Sequence, residues 1–330
     1  MLSRTAENLF WMARHIERAE NTARILDVAQ RSALLPLVSK IAQAHLWYAP
    51  LKITGSADSY AVRYGLAKAD TVTHFMALDP DNPASIYSSL RLARENARTV
   101  RGAMTSEMWE VINDSWLEFN HQPRHMDYEK FQVFFNRVKV RSHLFSGVTL
   151  ATMLKDIGYS FIKLGTFLER ADNTARILDV KYHILLPSVN DIGGAADYYQ
   201  WGSLLKSASA FEAYQKIYRD VISPKRVSEL LIFRGDMPRS LHACLNEVEA
   251  ALIDIDGDSG KEARRHAGEQ HAELHSGHIE DAIGQGLHEY LTDFLKNIAL
   301  LGQEIQTDYL SRRDRKMGAK AAPLKILENS

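Results

Sequence analysis

The residues with chemistry to offer come as a repeated set. Glu17, Glu20, Asn21 and Arg24 lie in the block Glu17-Arg18-Ala19-Glu20-Asn21-Thr22-Ala23-Arg24-Ile25-Leu26-Asp27-Val28. The block returns 152 positions later as Glu169 to Val180, with one conservative change, Asp172 in place of Glu20. Glu169, Asp172, Asn173 and Arg176 are therefore the second set. Carboxylate, amide and guanidinium together can hold a carboxylate or phosphate through charge-assisted hydrogen bonds. A glutamate left free among them could take a proton, so Glu17 and Glu169 are the candidates for a general base. A further cationic group is Arg91, Arg94, Arg98 and Arg101, whose spacings of 3, 4 and 3 place four guanidiniums on one helical stripe. That stripe reads as a solvated face, as partners for the repeated glutamates, or as an anion site, since arginine forks suit phosphate and carboxylate oxygens.

Other chemistries are disfavoured. Carboxylate-bridged metal pairs in helical bundles couple a Glu to a His three residues on. Here the third residue on is Glu20 or Asp172, and Arg24 and Arg176 would oppose a cation. His271, His275 and His278, with His266 upstream, have helical spacing that could suit a metal. Their segment is rich in Glu, Gln and Ser, and neither a Cys nor a second His pair completes a shell there. A solvated face is expected, and no metal. No glycine-rich nucleotide loop occurs, so no cofactor is expected. Cys244 is the single cysteine, which precludes an internal disulfide and fits a small buried hydrophobe in a reducing compartment. The net charge of −1 argues against nucleic acid as the main partner. No apolar run of membrane-spanning length occurs, and charged residues interrupt the N-terminus, so neither a membrane span nor a signal peptide is expected and the location is read as cytoplasmic.

The elements that position these residues are helices throughout. At 100° per residue, Leu9, Met12, Ile16, Ala19, Ala23 and Leu26 share a core face, and Phe161, Leu164, Leu168, Ala171, Ala175 and Leu178 repeat it. A second stripe, roughly 130° away, holds Phe10, Glu17, Asn21, Arg24 and Val28, and again Ile162, Glu169, Asn173, Arg176 and Val180. A face left to water has no need to repeat its chemistry, so this stripe is expected to meet protein or ligand, with its charges paired. Helices are expected from Ser3 or Thr5 to about Ser32, from Pro36, after Asp58 and Asp70 as caps, and from Asn82-Pro83 to about Met104. Others are expected from Thr105 or Ser106, from Asp127 to Leu154, from Asp156 to Leu186, around Trp201, over Ala208–Tyr218, from Ser223-Pro224 to Phe233, and from Asp236 to about Ile255. Two long ones follow, Lys261–Gly284 and Leu287–Arg312. The fold expected is an all-α multi-helix bundle over residues 1–312, with a candidate sub-boundary near 190–196 and a basic, disordered tail over 313–330.

The opening Met1-Leu2-Ser3-Arg4 with Ala6-Glu7-Asn8-Leu9-Phe10-Trp11, running into the first repeat block, resembles the bacterial alpha-E family. Asn82-Pro83, Ala93-Arg94-Glu95-Asn96-Ala97-Arg98 with Arg101, Ser106-Glu107 with Trp109 and Asn113, the second block and Pro238-Arg239-Ser240 extend the resemblance over nearly the whole chain. Met237 stands where the family commonly has an aromatic residue. The resemblance implies an all-α cytoplasmic protein encoded beside a circularly permuted ATP-grasp ligase, often with a transglutaminase-like protein and a proteasome-like peptidase. It therefore implies an accessory role in amide-bond formation on a peptide or protein, with the repeated Glu/Asn/Arg face binding the ligase or its anionic substrate. An enzyme using Glu17 or Glu169 beside an arginine-lined pocket, and a bare scaffold whose polar stripe is an internal salt-bridge ladder, are the alternatives.

Overall fold

A computed structural model of the protein describes residues 2–34, 40–121, 126–184, 195–255 and 260–310. Among these residues there are fifteen α-helices and no strand. They are α1 (Ser3–Ala33), α2 (Lys40–Ile53), α3 (Ala57–Tyr64), α4 (Ala69–Ala77), α5 (Ile86–Thr99), α6 (Ser106–Asn120), α7 (Tyr128–Thr152) and α8 (Ile157–Ile184). Then come α9 (Ala195–Ser207), α10 (Phe211–Tyr218), α11 (Pro224–Ile232), α12 (Leu241–Asp254), α13 (Lys261–Ser276), α14 (Ile279–Gln285) and α15 (Leu287–Ile305), which runs into one π turn, Gln306–Leu310. The expected helix start at Pro36, the break at 191–194 and the tail at 313–330 lie outside the described residues.

Side-chain caps explain five of the helix starts. Ser85, Thr105, Asp127, Ser223 and Ser240 each accept a backbone N–H from three residues on, which satisfies a donor the helix itself cannot. Some starts differ from expectation. Asp58 and Asp70 sit in the first turns of α3 and α4 rather than at their caps, where their charge meets the helix dipole. Asn82 folds a turn instead of a helix: its Oδ1 accepts from Ala84 N at 3.0 Å and its Nδ2 donates to Phe75 O at 3.0 Å, so α5 waits until Ile86. The expected helix Lys261–Gly284 is two, because Gly277 ends α13 and His278 caps α14.

α1 is the central element. Its Leu9, Met12 and Ile16 join a core built with α8, α12 and α15, while its Ala19, Ala23 and Leu26 join another with α2, α4, α5 and α7. Both expected core faces are buried in full, from Leu9 to Leu26 and from Phe161 to Leu178. Surrounded on so many sides, the middle of α1 cannot leave its carboxylates and amide to water. Glu17, Glu20 and Asn21 are all buried.

The two repeat helices pack against each other. They come close at Gly165, where an added Cβ would lie 2.2 Å from the Phe10 carbonyl oxygen and 3.2 Å from Ala13 Cβ. Only glycine permits that approach. Contacts between the helices advance in the same direction, from Phe10 and Ala13 against Gly165 to Glu17 and Arg18 against Arg170 and Glu169. α1 and α8 therefore run side by side in the same sense.

Candidate functional site: the exchanged ion pair and its cleft

Each repeat carries Glu followed by Arg, and the two copies exchange them. Arg170 donates to Glu17 through Nε at 3.0 Å and Nη2 at 2.8 Å. Arg18 donates to Glu169 through Nε at 2.6 Å and Nη2 at 2.9 Å. Contact of i with j and of j with i marks a pseudo-two-fold relation between the copies. Both pairs are bidentate forks, the geometry in which a guanidinium and a carboxylate bind best.

The symmetry is broken by what comes third. On the copy-one side, Arg239 enters from the turn before α12. Its Nη1 donates to Glu17 Oε1 and to Asn21 Oδ1, both at 2.9 Å, and its Nη2 donates to Glu20 Oε1. Glu20 also accepts from Arg24 at 2.8 Å and from Ser142 Oγ at 2.6 Å. Burial pushes the Glu20 carboxyl up, but His143, Arg239, Arg24 and Ser142 outweigh it and hold it well below the usual range. This side is closed.

The copy-two side is open. Arg14 is the third donor to Glu169, through Nε at 2.8 Å. Asp172, the shortened equivalent of Glu20, accepts only from Arg176 at 2.8 Å among the described residues. In front of them lies a cleft of about 870 Å³. Arg14, Arg18 and Arg176 line it beside Glu169 and Asp172, with Trp11 on one wall and Gln303, Gln306 and Thr307 from the end of α15 on the other. The Arg14 guanidinium sits 5.1 Å from the Trp11 ring centre. No described protein group accepts from the Nη atoms of Arg14 and Arg176 or from Nη1 of Arg18. Asn21 also lines the cleft, and its buried Nδ2 has no partner among the described residues.

The glutamates are poorly placed to act as bases. Burial raises the Glu169 carboxyl, yet Arg14 and Arg18 bring it down to about 2. Its oxygens already accept three hydrogen bonds, as do those of Glu17. Beside them, His15 is kept neutral, lowered to about 4 by burial and by the charges of Arg18 and Arg14.

The structure thus brings together Glu17, Glu20, Asn21 and Arg24 at the closed side and Glu169, Asp172 and Arg176 at the open one. Asn173 is half-buried beside them and outside the cleft lining. It does not bring in Arg91, Arg94 and Arg98 of α5, or Arg101 just beyond it. Arg91, Arg98 and Arg101 are exposed, Arg98 pairing with Glu95 and Arg101 lying over Trp109, while Arg94 donates to Asn113 and Glu95. That stripe reads as a surface network, apart from the cleft.

Sequence reasoning missed Arg14, Arg18, Arg170 and Arg239. Arg18 and Arg170 were visible within the repeat, one residue beyond each glutamate, but one helical step of 100° takes them off the shared stripe. Only the approach of two parallel copies makes that step the direction of pairing. Arg14 has Thr166 as its counterpart, so the repeat gave no signal for it.

A second cluster corrects the expectation for the histidines. His271 and His275 do not simply face water, because α12 packs on α13 and sets the buried His242 against both. His278 stands apart as the cap of α14, and His266 bonds to Glu304.

A family model described as a predicted alpha-helical domain with a conserved ER motif matches residues 1–310. The exchanged Glu17-Arg18 and Glu169-Arg170 are the two such dipeptides in the repeat. Among curated proteins, uncharacterised proteins of Mycobacterium bovis and of two strains of Mycobacterium tuberculosis are each 25% identical over 89% of this chain. The chain spans 35% of the length of these relatives. No solved structure matches it significantly.

Proposed function

This chain belongs to the Alpha-E family, and on that premise we propose that it is a non-catalytic component of an ATP-grasp amidoligase system, holding an anionic group of the peptide substrate or of the ligase at the open side of the exchanged ion pair. The observation that carries this reading is the cleft. Its volume falls in the range of ligand sites, roughly 300–1,000 Å³, and three arginines line it whose N–H groups are partly unused among the described residues. Glu169 is consumed in orienting Arg14 and Arg18, which leaves the guanidinium edges for a carboxylate or phosphate. The saturated, depressed carboxyl of Glu169 speaks against proton abstraction, and so against an enzyme built on it. On the closed side Arg239 fills the place between Glu17, Glu20 and Asn21, which supports a structural role for that side.

The circularly permuted ATP-grasp ligase is the proposed partner, with the transglutaminase-like protein and the proteasome-like peptidase as further members of a cytoplasmic system. That the matching stretch is about a third of the mycobacterial relatives supports a role as one part of a larger machine. No helix among the described residues is long and apolar enough to cross a membrane.

The test is ADP release by the ligase with and without this protein. Arg176→Gln and Arg14→Gln each remove a charged donor from the cleft, and about 1.5–3 kcal/mol per such hydrogen bond makes a loss of tenfold or more the expectation. Arg98→Glu, on the surface of α5, serves as the control with full support. Equal turnover with all three variants would overturn the reading.

A further inference from the structure

We propose that His242, His271 and His275 form a site for a zinc-class divalent metal ion, separate from the cleft. Their ligand nitrogens all lie within 4.8 Å of one another. The ring centres are 5.5–5.9 Å apart. His271 and His275 lie one turn apart on α13, and His242 comes from the first turn of the packed helix α12.

The hydrogen bonds behind the rings select the nitrogens that face the ion. His242 Nδ1 is 2.8 Å from the Phe233 carbonyl oxygen, which can only accept, so Nδ1 carries the proton. His271 Nδ1 is 2.6 Å from Glu249 Oε2, a carboxylate that likewise accepts. Both rings therefore keep Nε2 for a ligand. A backbone carbonyl or a carboxylate behind the imidazole is the arrangement by which metal-bound histidines are oriented and made more basic.

A tetrahedral zinc with Zn–N bonds of about 2.0–2.1 Å holds its nitrogens about 3.4 Å apart. The three rings are thus slightly open for an ion and close around it by about 1 Å or a little more on the same geometry. His275 is exposed and has the freedom to make that movement, while His242 is buried and Glu249 braces His271. Three imidazoles leave a fourth position for water or an anionic ligand, on the solvent side set by His275. Zinc suits the set because imidazole is a ligand it favours and because it has no electronic preference of geometry.

The experiment is titration of the full-length, tag-free protein with zinc chloride alone by isothermal calorimetry, followed by X-ray absorption at the zinc edge. One equivalent bound with micromolar affinity or tighter is expected, with a first shell of three imidazoles and one oxygen donor. Glu249→Gln should weaken binding by about 10- to 100-fold, the usual effect of losing an outer-shell partner. His275→Ala, at an exposed position that leaves the fold intact by circular dichroism, should weaken it further. His266→Ala and His278→Ala should leave it unchanged. Absence of stoichiometric zinc, or stoichiometric zinc indifferent to both His275→Ala and Glu249→Gln, would overturn the proposal. None of these readouts involves the ligase, so failure here is distinct from failure of the cleft.

Discussion

Replacing Glu17 by Gln probes the closed side of the exchanged pair. The Glu17 side chain is 3% exposed, and its arginine partners Arg170 and Arg239 are 15% and 9% exposed. Gln keeps the volume and one carbonyl but removes the negative charge, leaving two buried guanidiniums to share Glu20 and Asn21. Breaking a buried pair from one side costs about 3–5 kcal/mol, because the stranded charge has lost its water as well as its partner. With an unfolding entropy of about 0.7 kcal/mol/K for a chain of this length, the melting temperature should fall by about 4–7 °C. Glu169→Gln should cost less, since Arg14 and Arg18 are 19% and 28% exposed and the cleft admits water to them. Arg170→Met in the Glu17→Gln background should recover part of the loss by removing the stranded charge. Urea unfolding followed at 222 nm, run as a double-mutant cycle, measures all of these. A cost for Glu17→Gln below about 1 kcal/mol, the level of a surface pair, or a larger cost for Glu169→Gln, would refute the reasoning.

Four further outcomes follow from the same geometry. Glu169 is depressed from its ordinary value to about 2, so its stabilising contribution is complete above the ordinary glutamate range and is lost as pH falls towards 2. Glu169→Gln should flatten that limb of a urea-midpoint profile. His15 is depressed to about 4, so the unfolded chain binds its proton first and stability should decline as pH drops from about 6.5 to 4. His15→Gln should remove that slope. Gly165→Ala drives a Cβ into the Phe10 carbonyl and should cost about 1–3 kcal/mol or more, read by the same unfolding assay. The Cys244 thiol, fully buried and pushed up to about 12 by burial, should resist a thiol reagent in the native protein and react fully once unfolded.

The duplication made the fold legible. Both core faces could be placed from apolar spacing alone, and the demand that a repeated polar stripe meet protein was sound because α1 is enclosed on nearly every side. Caps of the Ser/Thr kind were readable where a hydroxyl preceded an apolar run, as at Ser223 and Thr105. They were misread where an acid stood in the first turn, as at Asp58 and Asp70, because cap and dipole preferences fall on the same residue types. The site was half legible. Its acids and amides were in the repeat, but the pairing partner depends on which copy each residue faces. Arg239 and His242 come from a distant helix and its preceding turn, and no local spacing announces them. The arginines from Arg91 to Arg101 are regularly spaced, yet regular spacing is also what an exposed amphipathic face produces.

On the function proposed above, the arginines of the open side take an anion, and the stripe from Arg91 to Arg101 does not. Selective labelling of arginine side chains and Nε–H correlation spectra, during titration with inorganic phosphate and with a glutamate-rich peptide, would show it most directly. Saturable shifts confined to Arg14, Arg18 and Arg176, and lost for the remaining two in Arg176→Gln, are the predicted result. Shifts confined to Arg91, Arg94, Arg98 and Arg101, with the cleft resonances unmoved, would contradict it.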